Sequence, residues 1–361
     1  MTRPTQASLD LAALRHNIGV ARGLAPHSRL MAVVKANAYG HGARVIAAQL
    51  APLVDALAVA CIEEAVTLRD AGTQAPILLL QGVFEPAELP LATELGLWLT
   101  IANEQQLAWL EEARLPNPPP CWLKLDTGMH RLGVTPAEVQ TLHRRLCATS
   151  QSPEQTVIYT HFAAADELGS DQTGGQIALF EKLTVGLSAP RSAANSAGLL
   201  AWPAAHYDWV RPGYMLYGNS PLDGPHPSAH GLRPVMTLRS AVTALREVEA
   251  GASVGYGAAW RATAPARIAT VPVGYGDGYP RHAPNGTPVL VDGRRAPLAG
   301  RVSMDMITVD VTHLPGIELG AEVVLWGRGL PVDEVARHAG TIGYELTTRM
   351  PDRPPRIVVT P

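Results

Sequence analysis

Over its first two-thirds the chain alternates short apolar runs, rich in branched residues, with longer segments of helical periodicity. The apolar runs are 30–35, 56–60, 76–80, 97–101, 121–126, 156–161, 191–195 and 207–211, and helix-like segments such as 63–71, 103–112, 136–149 and 172–187 lie between most of them. Parallel strands need a crossover that returns the chain to the same end of the sheet, and a helix supplies it. Eight such units in succession predict an α/β chain closed into a (β/α)8 or TIM barrel.

The texture changes near residue 230. Strand-like runs at 237–248, 266–273, 287–291, 306–311 and 322–326 are punctuated by Gly and Pro, with one helical pattern at 332–339. This predicts a C-terminal, mostly-β domain. The polar, Pro-rich segment 222–227 reads as the linker. The division expected is 1–230 for the barrel and 231–361 for the β domain, and the first ten or so residues could join the β domain. A chain of 361 residues, 47% of them hydrophobic, can fill two cores.

Charge narrows the function. The net charge is −3 and no block of one sign stands out, so neither nucleic acid nor a membrane surface is an expected partner. Cys61, Cys121 and Cys147 form no Cys-x-x-Cys pair, which argues against a disulfide framework or a metal site and suits a reducing cytoplasm. The N-terminal segment lacks the apolar core of a signal peptide, and no stretch is long and apolar enough for a membrane span.

In barrels of this type the reactive groups gather at the C-terminal ends of the strands. Lys35 closes the first run, Lys124 and Asp126 the fifth with Arg131 beyond, and His161 the sixth. Asn195-Ser196 follow the seventh, and Arg211-Pro212-Gly213-Tyr214 the eighth. Lys35 emerges from an apolar wall, where desolvation disfavours its ammonium form. A neutral amine is the nucleophile that imine formation requires. Strand context alone leaves two readings even: a catalytic amine, or a lysine whose stem runs out of the barrel mouth. The loops after the last two strands offer small residues and free backbone N–H groups, either a nest for a phosphate or ordinary turns. A reactive lysine beside a phosphate cradle suggests pyridoxal 5′-phosphate, which joins an aldehyde to a phosphate.

The run AVVKANAYGHG resembles the cofactor-lysine signature of bacterial alanine racemases. The resemblance continues in order through KLDTGMHRLG, YTHFAAADE, NSAG, RPGYMLYG, VGYGAAW, VGYGDGYPR, GRVSMDM and GTIGYEL. It implies that Lys35 holds pyridoxal phosphate and is one of two acid–base groups, with Tyr256 the other. Racemisation needs both, because the α-proton must leave one face and return to the opposite one. Tyrosine is a weak base at its ordinary pKa of about 10, and the resemblance implies that His161 and Arg211 relay support to it. Arg211 is further implied to face the pyridine nitrogen. Arginine does not give up its proton, so the ring would be a weak electron sink and side reactions would be suppressed.

The resemblance also implies phosphate binding by Tyr39, Ser196, Gly213, Tyr214 and Tyr344, with Asn195 and His161 also among the cofactor's contacts, and binding of the substrate carboxylate by Arg131 and Met304, Arg131 reaching the cofactor's phenolic oxygen as well. Lys124 matches a lysine that the family often carbamylates; an unmodified lysine pointing outward is the other reading. Asp166, Tyr275, Arg281, Arg301 and Asp305 match the lining of an access channel. Lys35 lies in the barrel and Tyr256 in the β domain, and the family completes its site across a head-to-tail homodimer. The expected reaction is the interconversion of L- and D-alanine, supplying D-alanine for peptidoglycan. Rivals are a broader amino-acid racemase acting on serine or others, a decarboxylase of the same two-domain type, a non-catalytic pyridoxal phosphate carrier and an imine-forming aldolase. Departures from the family pattern are His130 for a common glycine, Gly255 for serine, Ser303 for cysteine and Gly343 for asparagine.

Overall fold

The structure is a computed structural model that describes residues 3–149 and 156–359. After β1 (Gln6–Asp10) come β2 (Arg29–Val33), β3 (Ala56–Val59), β4 (Ile77–Leu79), β5 (Leu97–Ile101), β6 (Cys121–Lys124), β7 (Val157–Tyr159), β8 (Arg191–Ser192) and β9 (Trp209–Val210). Strands β2 to β9 form a closed parallel barrel in sequence order, and β9 returns to β2 through Arg29↔Trp209 and Leu30↔Val210. This is the (β/α)8 barrel that the alternation predicts. The last two strands are short, but the Arg211 N–H still donates to the Ala194 carbonyl at 2.9 Å and carries the pairing towards the rim.

Side chains two apart on a strand share a face. Trp122 therefore lies below Lys124, Tyr159 below His161, and Trp209 below Arg211. Trp122 packs against Trp209 and Tyr159 with centroids 5.4 and 5.6 Å apart, and Trp98 meets Trp209 edge-on at 5.9 Å. This aromatic floor fills the barrel and leaves the polar residues to line the open end. No helix among the described residues is long and apolar enough to cross a membrane.

The remaining strands are β10 (Met236–Ala241), β11 (Ala244–Val248), β12 (Ser253–Val254), β13 (Trp260–Arg261), β14 (Ala266–Val271), β15 (Pro288–Val291), β16 (Arg294–Pro297), β17 (Ile307–Asp310), β18 (Glu322–Trp326) and β19 (Arg356–Val359). A six-stranded sheet runs β16-β15-β18-β10-β1-β19, a three-stranded sheet β11-β14-β17, and β12 pairs with β13. The N-terminal strand is thus antiparallel to β10 and parallel to β19. Ala7 and Leu9 pack into the core of the β region, where Tyr279 stacks on Trp326.

Residues 237–248, read as one strand, are two strands in different sheets. The Val242 N–H donates to Ala321 and the Thr243 N–H to Thr270, both at 2.9 Å, so the chain changes partner at that point. The apolar pattern runs on unchanged across the switch. The helix Val332–His338 lies where periodicity puts it, whereas Gly343–Thr348 has no amphipathic signature.

Asp277 pins the N-terminus to the β region. Its fully buried carboxylate accepts from both Arg3 terminal nitrogens at 2.6 Å and from the Gly274 N–H at 2.9 Å. Arg353 approaches within 3.4 Å. Asp277→Ala leaves the Arg3 guanidinium, still partly in water, without its carboxylate, while Arg353 keeps Asp305, so the expected loss is about 2 kcal/mol, below that for a fully buried pair. Denaturant unfolding of the variant checks this.

Candidate active site

A cavity of about 560 Å³ opens at the C-terminal end of the barrel strands, within the usual range for small-ligand sites. Its walls bring together Lys35, Tyr39, Lys124, Arg131, His161, Asn195, Ser196, Arg211, Gly213, Tyr214 and Tyr344. Tyr344 reaches it from the helix Gly343–Thr348, so the β region closes one side.

Lys35 does not extend the first barrel strand. β2 ends at Val33, and after Lys35 the backbone turns left-handed: Ala36, Asn37, Ala38 and Tyr39 have φ of 52, 54, 54 and 52°. Each such residue costs about 1–2 kcal/mol, so surrounding contacts must hold the turn. Glu64 accepts from the Ala36 N–H at 2.6 Å with one oxygen and from the Ala60 N–H at 2.8 Å with the other. Asn37 accepts from the Ala43 N–H at 2.7 Å. The turn closes on Gly40, whose φ is +81° and whose missing Cβ would stand 1.8 Å from the Thr347 carbonyl oxygen. Arg356 of β19 donates to the Gly40 carbonyl at 2.8 Å. The β region therefore clamps the turn that carries Lys35 and Tyr39.

The charge in the cavity is one-sided. Lys35, Lys124, Arg131 and Arg211 line it, and among the described lining residues there is no carboxylate. Arg211 is buried and donates to the Ser192 hydroxyl at 2.5 Å and to the Thr160 and Ala193 carbonyls at 2.6 and 3.2 Å, all neutral acceptors. Its guanidinium carbon lies 4.9 Å from the Tyr159 ring centre. Burial lowers its pKa to about 10, which still leaves it charged at neutral pH. Burial and then Arg211, Lys124, Arg131 and Lys35 push His161 well below the usual histidine range, so its imidazole is neutral. Lys124 is brought down to about 8 by burial, then Arg211, Arg131 and Lys35. Lys35 is lowered by burial and Arg131, against an opposing pull from Glu64. Asp126 faces away: it accepts from the Gly128, Met129 and His130 N–H groups and pairs with the His130 ring at 3.0 Å. His130 has φ of +55°, which accounts for glycine being common there.

A cradle for an anion lies beside these cations. The Ser196 hydroxyl accepts from the Gly213 N–H at 2.9 Å and the Met215 N–H at 3.3 Å, and Asn195 caps the Gly198 N–H at 2.9 Å. A Cβ on Gly213 would sit 2.4 Å from the Tyr39 phenolic oxygen, so glycine alone leaves that space open. Four cations, tyrosine hydroxyls and a glycine-lined nest suit a phosphate together with a second anionic group, and Lys35 lies within the same cavity. The residues present fit pyridoxal phosphate.

Other candidates stand elsewhere. Tyr256 is 71% exposed and lines a separate open hollow with Arg301, Ser303 and Met306. Met304 and Tyr275 are exposed, as is Arg281. Asp305 pairs with Arg353 at 2.5 Å, and Asp166 lines a groove that reaches Tyr344.

Family models described as the N-terminal and the C-terminal domain of alanine racemase match residues 9–221 and 235–358. The chain belongs to the alanine racemase family. An alanine racemase of Chromohalobacter salexigens is 53% identical over 99% of this chain and 98% of that protein. The crystal structure of a biosynthetic alanine racemase from Pseudomonas aeruginosa superposes with a TM-score of 0.95 at 50% identity, covering 99% of this chain and 100% of that one. An alanine racemase structure from Bartonella henselae with covalently bound pyridoxal phosphate gives a TM-score of 0.90 at 30% identity, covering 99% of each chain.

Within this racemase fold, two residues that organise the site escaped sequence reasoning. Glu64 reads as a helix-start carboxylate, yet it holds the lysine turn. Gln176 is buried; it donates to the His161 carbonyl at 3.0 Å and the Thr127 hydroxyl at 3.2 Å and accepts from the Ala163 N–H at 2.9 Å. A polar residue on the inner face of an amphipathic helix was the available signal. Two glycines separate strain from collision in this architecture. Gly72 has φ of +85° with nothing within 4 Å of a Cβ, so Gly72→Ala is expected to cost about 1 kcal/mol. Gly40→Ala adds the collision with Thr347 and is expected to cost about 3 kcal/mol or more; thermal unfolding of the two variants side by side checks the difference.

Proposed function

We propose that the protein interconverts L- and D-alanine with pyridoxal phosphate held in the barrel cavity. The observation that carries this is the convergence of Lys35, four cations in all and a glycine-lined nest on one cavity, in a chain whose relatives over their full length are alanine racemases. Lys35 would hold the cofactor through Nζ. Ser196, the Gly213 and Tyr214 backbone and the Tyr39 and Tyr344 hydroxyls would hold its phosphate. Bound there, the cofactor draws electron density from the amino acid's Cα and makes the α-proton removable.

The chain's own groups then move that proton. Lys35 has its pKa lowered by burial, so Nζ gives up its proton more readily than an ordinary lysine and more of it stands as the free amine that can accept one. Arg211 keeps its charge and offers N–H donors alone, so it orients without accepting a proton. His161 stays neutral, and a neutral imidazole next to Arg211 can pass a proton on without adding a fifth positive charge. Arg131 at the mouth and Met304 would receive the substrate carboxylate, with Arg281, Arg301, Asp305, Tyr275 and Asp166 along the approach. Alanine is the favoured substrate because the relatives that match over nearly the whole chain are alanine racemases. Lys124 at about 8 is about one-tenth neutral at pH 7, far more than an ordinary lysine. A neutral amine is the form that adds carbon dioxide, and a carbamate there would put one negative charge among the cations.

The second proton carrier would be Tyr256 of a second copy. On its own chain Tyr256 is solvent-exposed, in a patch with the exposed Met304, Met306 and Tyr275. Contiguous exposed apolar surface of this kind marks a docking face. A head-to-tail homodimer would bring that face over the partner's barrel mouth. We further infer a cytoplasmic enzyme that supplies D-alanine for peptidoglycan, a setting that suits three cysteines dispersed along the sequence with no Cys-x-x-Cys pair.

Two measurements test this. Borohydride reduction of the protein with pyridoxal phosphate is expected to leave a pyridoxyl group on Lys35, and a label elsewhere removes the cofactor assignment. Lys35→Ala and Tyr256→Phe are each expected to be inactive, while an unfolded and refolded equimolar mixture regains roughly a quarter of wild-type racemisation. Half the dimers are then mixed and each carries one intact site of two. No recovery on mixing places Tyr256 in the same chain's site and refutes the shared-site reading.

A further inference from the structure

Gly343 stands where asparagine is common in the family, and the structure shows what occupies the space. A Cβ on Gly343 would lie 2.0 Å from the Tyr214 phenolic oxygen and 2.3 Å from Asp333 Oδ1. Those two atoms are hydrogen-bonded: the Tyr214 hydroxyl donates to Asp333 at 2.7 Å. Any side chain at 343 would sit on that bond.

Tyr214 connects three parts of the site. Its backbone lies between Gly213 and Met215, whose N–H groups both donate to Ser196 in the anion cradle. Its ring is buried and lies flat on Tyr344, with centroids 3.7 Å apart and planes within 13°. Its hydroxyl reaches the helix Val332–His338, which carries Asp333. A hydroxyl bonded to a carboxylate in a buried setting makes a strong, directional contact. Tyr39 completes the wall, 6.4 Å from Tyr214 and 6.1 Å from Tyr344.

We propose that Asp333 is a positioning residue for the anion cradle: it locks Tyr214, Tyr214 aligns Tyr344 by stacking, and Gly343 is required to leave room for the lock. Asp333 touches neither cofactor nor substrate. It acts across the junction of barrel and β region, through Tyr214, on Tyr344, which the β region contributes to the cavity wall. The sequence pair of Tyr214 with Gly343 is the signature of this arrangement, since a tyrosine hydroxyl and a side chain at 343 cannot share the space. The inference rests on the reading that the cavity holds pyridoxal phosphate.

The test is an absorbance titration of the cofactor-free protein with pyridoxal phosphate, with the melting temperature of the cofactor-free protein measured alongside. Tyr214→Phe keeps the ring and removes the hydroxyl. Asp333→Ala removes the acceptor. Each is expected to weaken cofactor binding about ten- to thirtyfold, the effect of losing a charge-assisted bond. The double variant is expected to be no weaker than the weaker single one, because both break the same contact. Asp333→Asn keeps an acceptor oxygen and is expected to stay within about threefold of wild type. Gly343→Ala is expected to match Tyr214→Phe. Unchanged affinity in the single variants, multiplied losses in the double one, or a lowered melting temperature with wild-type affinity each overturn the proposal. A wild-type protein that takes up no pyridoxal phosphate overturns the cofactor reading and this inference together, and is told apart by that control alone.

Discussion

Arg211 lines the barrel cavity as a buried cation bonded to a hydroxyl and two carbonyls. Its charge has no carboxylate partner among the described cavity-lining residues, and the properties of its neighbours follow. His161 is held neutral and Lys124 is brought down to about 8, in each case by burial first and the surrounding cations second. Buried charges are normally paired. A cavity that leaves such cations without a carboxylate draws anions, and an amino-acid substrate brings one in its own carboxylate. The same field that attracts the ligand weakens the hold of the lysines on their protons.

The second constraint is mechanical. The left-handed turn after Lys35 is unfavourable by itself, and the contacts that hold it come from outside the turn. Glu64 fixes its first N–H, Thr347 fills the space that Gly40 leaves, and Arg356 binds the Gly40 carbonyl. Two of these three belong to the β region. The division into two lobes is therefore less independent at the site than the barrel suggests: the lobe that carries Tyr256 also sets the conformation of the segment that carries Lys35. Asp333 and Tyr344 repeat the pattern on the adjoining tyrosine wall.

Much of this was legible beforehand. The alternation located the barrel strands to within a few residues, because each must be apolar on both faces and bounded by a crossover. The polar tips Lys124, His161 and Arg211 were legible because strand parity puts them above Trp122, Tyr159 and Trp209. The break at Val242 was not, since an apolar stretch looks the same whichever sheet it joins. Nor was Asp333, an ordinary helix-start acid until Tyr214 comes into reach.

The sequence by itself determined the closed barrel and the identity of the groups at its open end, because those depend on periodicity within short windows. Tertiary structure alone decided the handedness of the Lys35 turn, the use of the Gly343 gap and the exposure of Tyr256 away from its own cavity. The turn and the Gly343 gap rely on partners such as Thr347, Arg356 and Tyr214, each more than a hundred residues away along the chain, and local pattern carries no record of such distances.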